Sequence, residues 1–72
     1  MAKAHIRNHV RQLREERGIT QSDLARNSAC TRQTIIMLEQ ERYVPSLSLA
    51  FAVAQSLGVA LEEVFEPEES TD

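Results

Sequence analysis

The sequence predicts an all-α domain of five short helices. Three observations carry that prediction. Apolar residues recur every three or four positions along most of the chain, the period of a helix with one buried face. Helix-starting residues (Thr20, Thr31, Ser46) and helix-stopping residues (Gly18, Gly58) stand at the ends of those runs. No alternating run of strand length competes, and the chain holds only one Tyr, two Phe and no Trp.

Each element follows in order. Ile6, Val10 and Leu13 form one face of a first helix, which Gly18 closes. Thr20 caps a second helix, with Asp23 in the capping-box position three residues on. Leu24 and Ala25 are its buried side, and it runs to Asn27. Ser28, Ala29 and Cys30 connect it to a third helix, which Thr31 caps and which turns Ile35 and Leu38 inward. Glu41 to Pro45 reads as a loop, because a residue before proline resists the helical region. Ser46 caps a fourth helix with Leu49, Ala50, Val53 and Leu57 as its stripe and Gly58 at its end. A fifth covers Leu61 to Phe65, and Pro67 ends it. The expected core is Ile6, Val10, Leu13, Leu24, Ala25, Ile35, Leu38, Leu49, Ala50, Val53 and Leu57.

At 72 residues this is one domain, placed at residues 1–66, with an acidic flexible tail over residues 67–72. A chain this short buries about 60% of its unfolded surface. It offers little material for a catalytic cleft and gains from sharing apolar surface with a second copy. The single cysteine, Cys30, cannot staple a secreted fold and fits a reducing cytoplasm. No apolar run approaches the roughly 18 residues that suggest a membrane span, and no signal-peptide pattern opens the chain.

The net charge of −3 hides a split. All eight basic residues lie at or before Arg42, against five acids there, giving +3. From Tyr43 onward there are six acids and no base. Such asymmetry suggests one part that faces a polyanion and another that avoids it.

Two short helices joined by a turn of about three residues, the second opening with polar side chains, make a helix-turn-helix from Thr20 to Gln40. The second helix of such a pair enters a groove about 12 Å wide, with its N-terminal residues meeting base edges. Arg32, Gln33, Thr34 and Met37 occupy that leading, outward surface, while Ile35 and Leu38 face the core.

The stretch from Ile19 to Phe65, ITQSDLARNSACTRQTIIMLEQERYVPSLSLAFAVAQSLGVALEEVF, resembles the Cro and phage-repressor regulators, the XRE family. The ordered set TQ-x-x-LA, TRQTI, LE, PSL, A-x-x-LGV and LEEVF carries the resemblance. With IRNHVRQLREERG as first helix it covers nearly the whole chain, and it looks closest to the small stand-alone members with TRQTI. The resemblance implies a lambda-repressor-like fold and roles by position. Arg32 and Gln33 read bases, assisted by Thr34 and Met37. Gln21, Thr31, Gln40 and Arg42 contact phosphates, and Gln21 also braces Gln33. Arg14 and Glu39 form a buried ion pair between the first and third helices.

Three positions depart from the family's pattern. Ala29 in the turn and Glu41 after the third helix stand where glycine is common, and Glu41 also sets an anion near the expected DNA backbone. Ile36 and Met37 stand at outward positions where polar or small residues are common.

The remaining candidates read more plainly. His5 and His9 are four apart, a helical metal spacing, but a site needs further ligands, so no metal is assigned. Cys30 reads as a small buried apolar side chain. Glu62, Glu63, Glu66, Glu68 and Glu69 read as a solvated end. Val59, Leu61, Val64 and Phe65 exceed one small core's needs; they either complete it or form a two-fold contact.

The sequence thus implies a regulator, a repressor in its leading form, that binds an inverted repeat in double-stranded DNA as a homodimer. It implies no cofactor and no membrane. A protein-interaction module of the same fold, such as an antitoxin holding a toxin, is the second reading. An enzyme is not expected, since no nucleophile–base pair, metal cluster or phosphate loop is present.

Overall fold

The computed structural model describes residues 5–68. It holds five helices: α1 (Val10–Glu16), α2 (Gln21–Asn27), α3 (Arg32–Glu39), α4 (Leu47–Leu57) and α5 (Leu61–Val64). A two-stranded antiparallel hairpin closes the ends, β1 (Ile6–Asn8) on β2 (Phe65–Pro67). Its register pairs Ile6 with Pro67, Arg7 with Glu66 and Asn8 with Phe65.

The starts of α2, α3 and α4 are where the sequence puts them. The hydroxyls of Thr20, Thr31 and Ser46 accept from the N–H groups of Asp23, Thr34 and Leu49 at 3.0, 3.1 and 3.1 Å. Each satisfies one donor that the first turn leaves without an intrahelical partner. Asp23 carries more than a cap position. The Thr20 hydroxyl, then the Arg26 guanidinium, holds its carboxyl below the usual carboxylate range.

The first four helices end alike. Each closes on a left-handed residue, Gly18 (φ 66°), Ala29 (φ 58°), Glu41 (φ 60°) or Gly58 (φ 74°). Two backbone bonds wrap each end. Ile19, Cys30, Arg42 and Val59 donate back to the carbonyls of Arg14, Ala25, Met37 and Ala54 at 3.0–3.1 Å. Each left-handed residue donates three residues back. This arrangement satisfies the last carbonyls of a helix and favours glycine, which has no Cβ to clash. Ile19, Cys30 and Val59 then pack against the core. Burial pushes the Cys30 thiol up, as suits a small packing residue and not a reactive thiolate.

Nine buried apolar side chains form one core: Val10, Leu24, Ala25, Ile35, Leu38, Val53, Ala54, Leu57 and Val64. Ala50 is buried beside them. Leu13 and Leu49, expected inside, are half-buried against this cluster. One buried polar residue, Ser28, is satisfied. Ser56 donates to the Ala52 carbonyl at 2.8 Å, which leaves the Ser28 hydroxyl to donate to Ser56 at 3.3 Å.

The first helix and the ends differ from expectation. α1 begins at Val10, because the Asn8 side chain accepts from the Val10 N–H at 3.1 Å and the backbone before it is extended. Ile6 therefore lies in β1 and is half-buried. His5 and His9 consequently do not share a helical face. His9 Nε2 lies 2.9 Å from Glu66, and His5 Nε2 lies 3.5 Å from Glu41 and 3.6 Å from Glu68. At the other end, Phe65 starts β2 and does not end α5. Glu66 and Pro67 are strand residues, and residues 69–72 of the expected tail lie outside the described residues. Three-residue strands are too short to show a period. Val64, offered for a two-fold contact, is fully buried in the core of its own chain.

Replacing Ala29 by Gly removes a left-handed Cβ from an exposed turn. It should stabilise the fold by about 1 kcal/mol, raising Tm by about 4–8 °C in a calorimetric scan. Glu41 differs, because its carboxylate accepts from the Asn8 N–H at 3.1 Å. Glu41→Gly should leave Tm nearly unchanged, as strain relief offsets the lost bond. Glu41→Ala keeps the strain, loses the bond and should cost about 1 kcal/mol.

Candidate nucleic-acid interface

α2 and α3 pack directly on each other, and the turn between them is held by the left-handed Ala29. Ile35 and Leu38 anchor α3 with no exposed surface. That fixes the roll of the helix and turns its other faces outward. Arg32 and Gln33 are exposed at its first turn, and Thr34, Ile36 and Met37 are half-buried. Thr31 is exposed, caps the helix and lies 3.0 Å from the Thr34 hydroxyl. Gln40 and Arg42 are exposed just beyond its end.

A polar chain runs beneath this surface. Arg14 on α1 meets Glu39 on α3 with two prongs, Nε to Oε2 at 2.7 Å and Nη2 to Oε1 at 3.4 Å. The side chains are 12% and 5% exposed, so the pair is largely removed from solvent. Arg14 Nη1 also donates to the Ile19 carbonyl at 3.0 Å, where α1 turns toward α2. Gln21 on α2 donates from Nε2 to Glu39 at 3.1 Å. Its amide oxygen then accepts from Arg32 Nε at 3.4 Å. The network fixes the amide's orientation: NH2 must face the carboxylate, and oxygen must face the guanidinium.

The ion pair of Arg14 and Glu39 is as the resemblance implies. The brace is not. Gln21 meets Arg32, and not Gln33, because Arg32 lies one position nearer α2 and its long side chain reaches back. The bond uses Nε and leaves both Nη groups of Arg32 directed elsewhere. Among the described residues no carboxylate pairs with Arg32 or Arg42, whereas Arg11, Arg14, Arg17 and Arg26 each have one. The two arginines nearest the ends of α3 thus keep their charge available to an outside anion.

Glu41 does not act as a free anion beside this surface. Its carboxylate is turned to the Asn8 N–H and to His5. Asn8 is the residue the sequence reading missed. Its side-chain amide donates to the Leu38 carbonyl at 2.8 Å, tying the terminal hairpin to the end of α3. An Asn just ahead of an apolar run is a helix-start signal, and that signal stood unread. Val59, Leu61 and Phe65 are half-buried against the core beside buried Val64. Among the described residues, no cluster of His, Cys, Asp and Glu could hold a metal ion, and no helix is long and apolar enough to cross a membrane.

Comparison with known proteins agrees with this geometry. A helix-turn-helix family model matches residues 10–64. An HTH-type transcriptional regulator of Methanothermobacter thermautotrophicus is 48% identical over 61 residues, covering 83% of this chain and 88% of that one. One from Methanocaldococcus jannaschii is 42% identical over 60 residues, covering 83% and 91%. The immunity repressor protein of Bacillus phage phi105 is 34% identical over 59 residues, which are 82% of this chain and 41% of that protein. Among solved structures, the clp gene regulator ClgR of Corynebacterium glutamicum superposes with a TM-score of 0.72 at 28% identity. The transcription factor NHTF from Neisseria gives 0.71 at 31%. The matches cover 75% and 76% of this chain but only 57% and 63% of those longer ones. The chain belongs to the XRE-type helix-turn-helix family of DNA-binding transcriptional regulators.

Proposed function

We propose that this chain is a sequence-specific repressor that binds an inverted repeat as a homodimer, with α3 in the major groove. The observation that carries the reading is Arg32. It stands at the exposed start of α3, unpaired by any described carboxylate and held through Gln21 to the Arg14–Glu39 pair. Specific recognition needs a donor that is free to bond yet already oriented, because ordering a long side chain at the moment of binding costs affinity. The Nη groups of Arg32 suit guanine O6 and N7, and the amide of Gln33 suits adenine. Thr34 and Met37 lie on the same outward surface and assist.

Phosphate contacts set register without carrying sequence. Thr31, Gln40 and Arg42 are exposed at the two ends of α3 and serve that role. The amide of Gln21 is half-buried and bonded at both ends, so its role is chiefly to position Arg32. The acidic surface beyond Tyr43 faces away from DNA in this reading. Repression follows from occupancy, since a protein seated on an operator blocks other proteins from the same groove.

Selection of bound duplexes from a random pool tests the reading directly. In that assay Arg32→Ala should relax choice at one base pair of each half-site, costing about 1–3 kcal/mol there. Unchanged preference would remove Arg32 from the reading surface. Arg42→Ala should weaken binding to all sequences alike and lower the salt-dependence slope by about one. Titrations at several salt concentrations measure this, and a slope equal to wild type would remove Arg42 from the phosphate contacts.

A further inference from the structure

One branched apolar side chain on the outward side of α3 serves no contact in the core. Ile36 is half-buried, yet among the described residues it is not one of the apolar side chains that pack against the core. Ile35 and Leu38 hold the inner side of the helix. Ile36 stands one turn after Arg32 and one turn before Gln40, on their face and not on the core's. The three line a surface cleft with Arg11 and Gln21, between α1, the start of α2 and α3. Ile19, the other isoleucine of that cleft, packs against the core, and Ile36 does not.

Resting on the reading of α3 as the helix that enters the major groove, we propose that Ile36 is a specificity-determining residue. It reads the 5-methyl group of a thymine beside the guanine that Arg32 reads. The chemistry selects that ligand. Isoleucine neither donates nor accepts a hydrogen bond. Against the amino group of cytosine or adenine, or the O6 and N7 of guanine, it excludes water and leaves a polar group unpaired, which costs affinity. The thymine methyl is the one apolar group on the major-groove edges. Ile36 thus favours thymine by contact and disfavours the other bases by desolvation.

Spacing and stiffness agree. Side chains one turn apart have Cβ atoms about 5–6 Å apart, and successive nucleotides of a strand rise about 3.4 Å. The methyl therefore belongs to a base pair one or two steps from the guanine. Isoleucine is branched at Cβ and keeps one strongly preferred χ1 in a helix, so little freedom is lost when it docks. Met37 is also half-buried and outside the core set, but its three rotatable bonds let it adapt to what it meets. Ile36 is the sharper reader of the two. Arg32, held by Gln21, fixes the register at which Ile36 arrives.

Deoxyuridine in place of thymine removes the methyl and leaves base pairing and every hydrogen-bonding group in place, so it tests the proposal directly. Duplexes are selected from a random pool by the full wild-type chain, and Arg32→Ala identifies the guanine by the base pair at which choice relaxes. Each thymine within two base pairs of it is then replaced in turn and binding is titrated. One such replacement should weaken wild-type binding about fourfold, the effect of one buried methyl. In Ile36→Ala the same replacement should change nothing. Ile36→Gln, a good helix former, carries the same expectation, and Ile36→Val, which keeps the branch at Cβ, should retain most of the loss. An Ile36 that only supports the fold would weaken both duplexes alike in Ile36→Ala and leave the fourfold ratio standing. That result overturns the proposal, as does a selected site with no thymine in the interval or a wild type indifferent to deoxyuridine there. A wild type that selects no sequence, or an Arg32→Ala that relaxes no base pair, overturns the functional reading and this inference with it.

Discussion

The Glu39 carboxylate accepts three hydrogen bonds from two other helices in a nearly dry position. Arg14 of α1 reaches it with two prongs, and Gln21 of α2 adds a third hydrogen bond, while Glu39 itself ends α3. Moving an ion pair out of water carries a desolvation cost that mutual attraction only partly returns. Its value here is orientation. A bidentate pair has one good geometry, so α1 and α3 cannot rotate past one another without breaking it. The apolar contacts of Leu24, Ile35 and Leu38 are strong but non-directional, and they would tolerate small shifts that the ion pair does not.

The consequence reaches the surface through Gln21. Its amide hands the order of the buried pair outward to Arg32, one side chain at a time. The exposed guanidinium at the start of α3 is thereby oriented by a carboxylate buried at the other end of the same helix. The helix is short, so both ends answer to one anchor.

A chain of this size has few residues with which to turn corners. It closes four helices by the same pair of backbone bonds, twice with glycine and twice without. At Ala29 the left-handed backbone is strained and nothing in the structure explains the methyl group. At Glu41 the strained residue holds the terminal hairpin through Asn8, and Asn8 holds the Leu38 carbonyl near the end of α3. The two chain ends, distant in sequence, are thus joined beside the recognition helix. The charges follow the same division. Bases lie on the elements around α3, acids gather beyond α4, and α4 itself shows solvent a face without either.

What the sequence determined alone was local. Thr20, Thr31 and Ser46 mark helix starts because a hydroxyl bonds an N–H only three residues away. Gly18 and Gly58 mark ends because the left-handed backbone there favours a residue without a Cβ. Ile35 and Leu38 declare the inner side of α3, and with it the outward place of Arg32 and Gln33, because a helix repeats every 3.6 residues. Tertiary structure decided what depends on residues far apart. Ile6 leaves the expected first helix because β2, some sixty positions on, offers it a strand partner. Val64 goes inside because α5 packs against α4 and its last carbonyl accepts from the His9 N–H, which its own short pattern cannot reveal. Gln21 meets Arg32 instead of Gln33 because the packing of α2 on α3 brings the long Arg32 side chain within reach. Short-range bonds and periodicity are written in adjacent residues, whereas pairing, burial and side-chain reach are set only when separate elements meet.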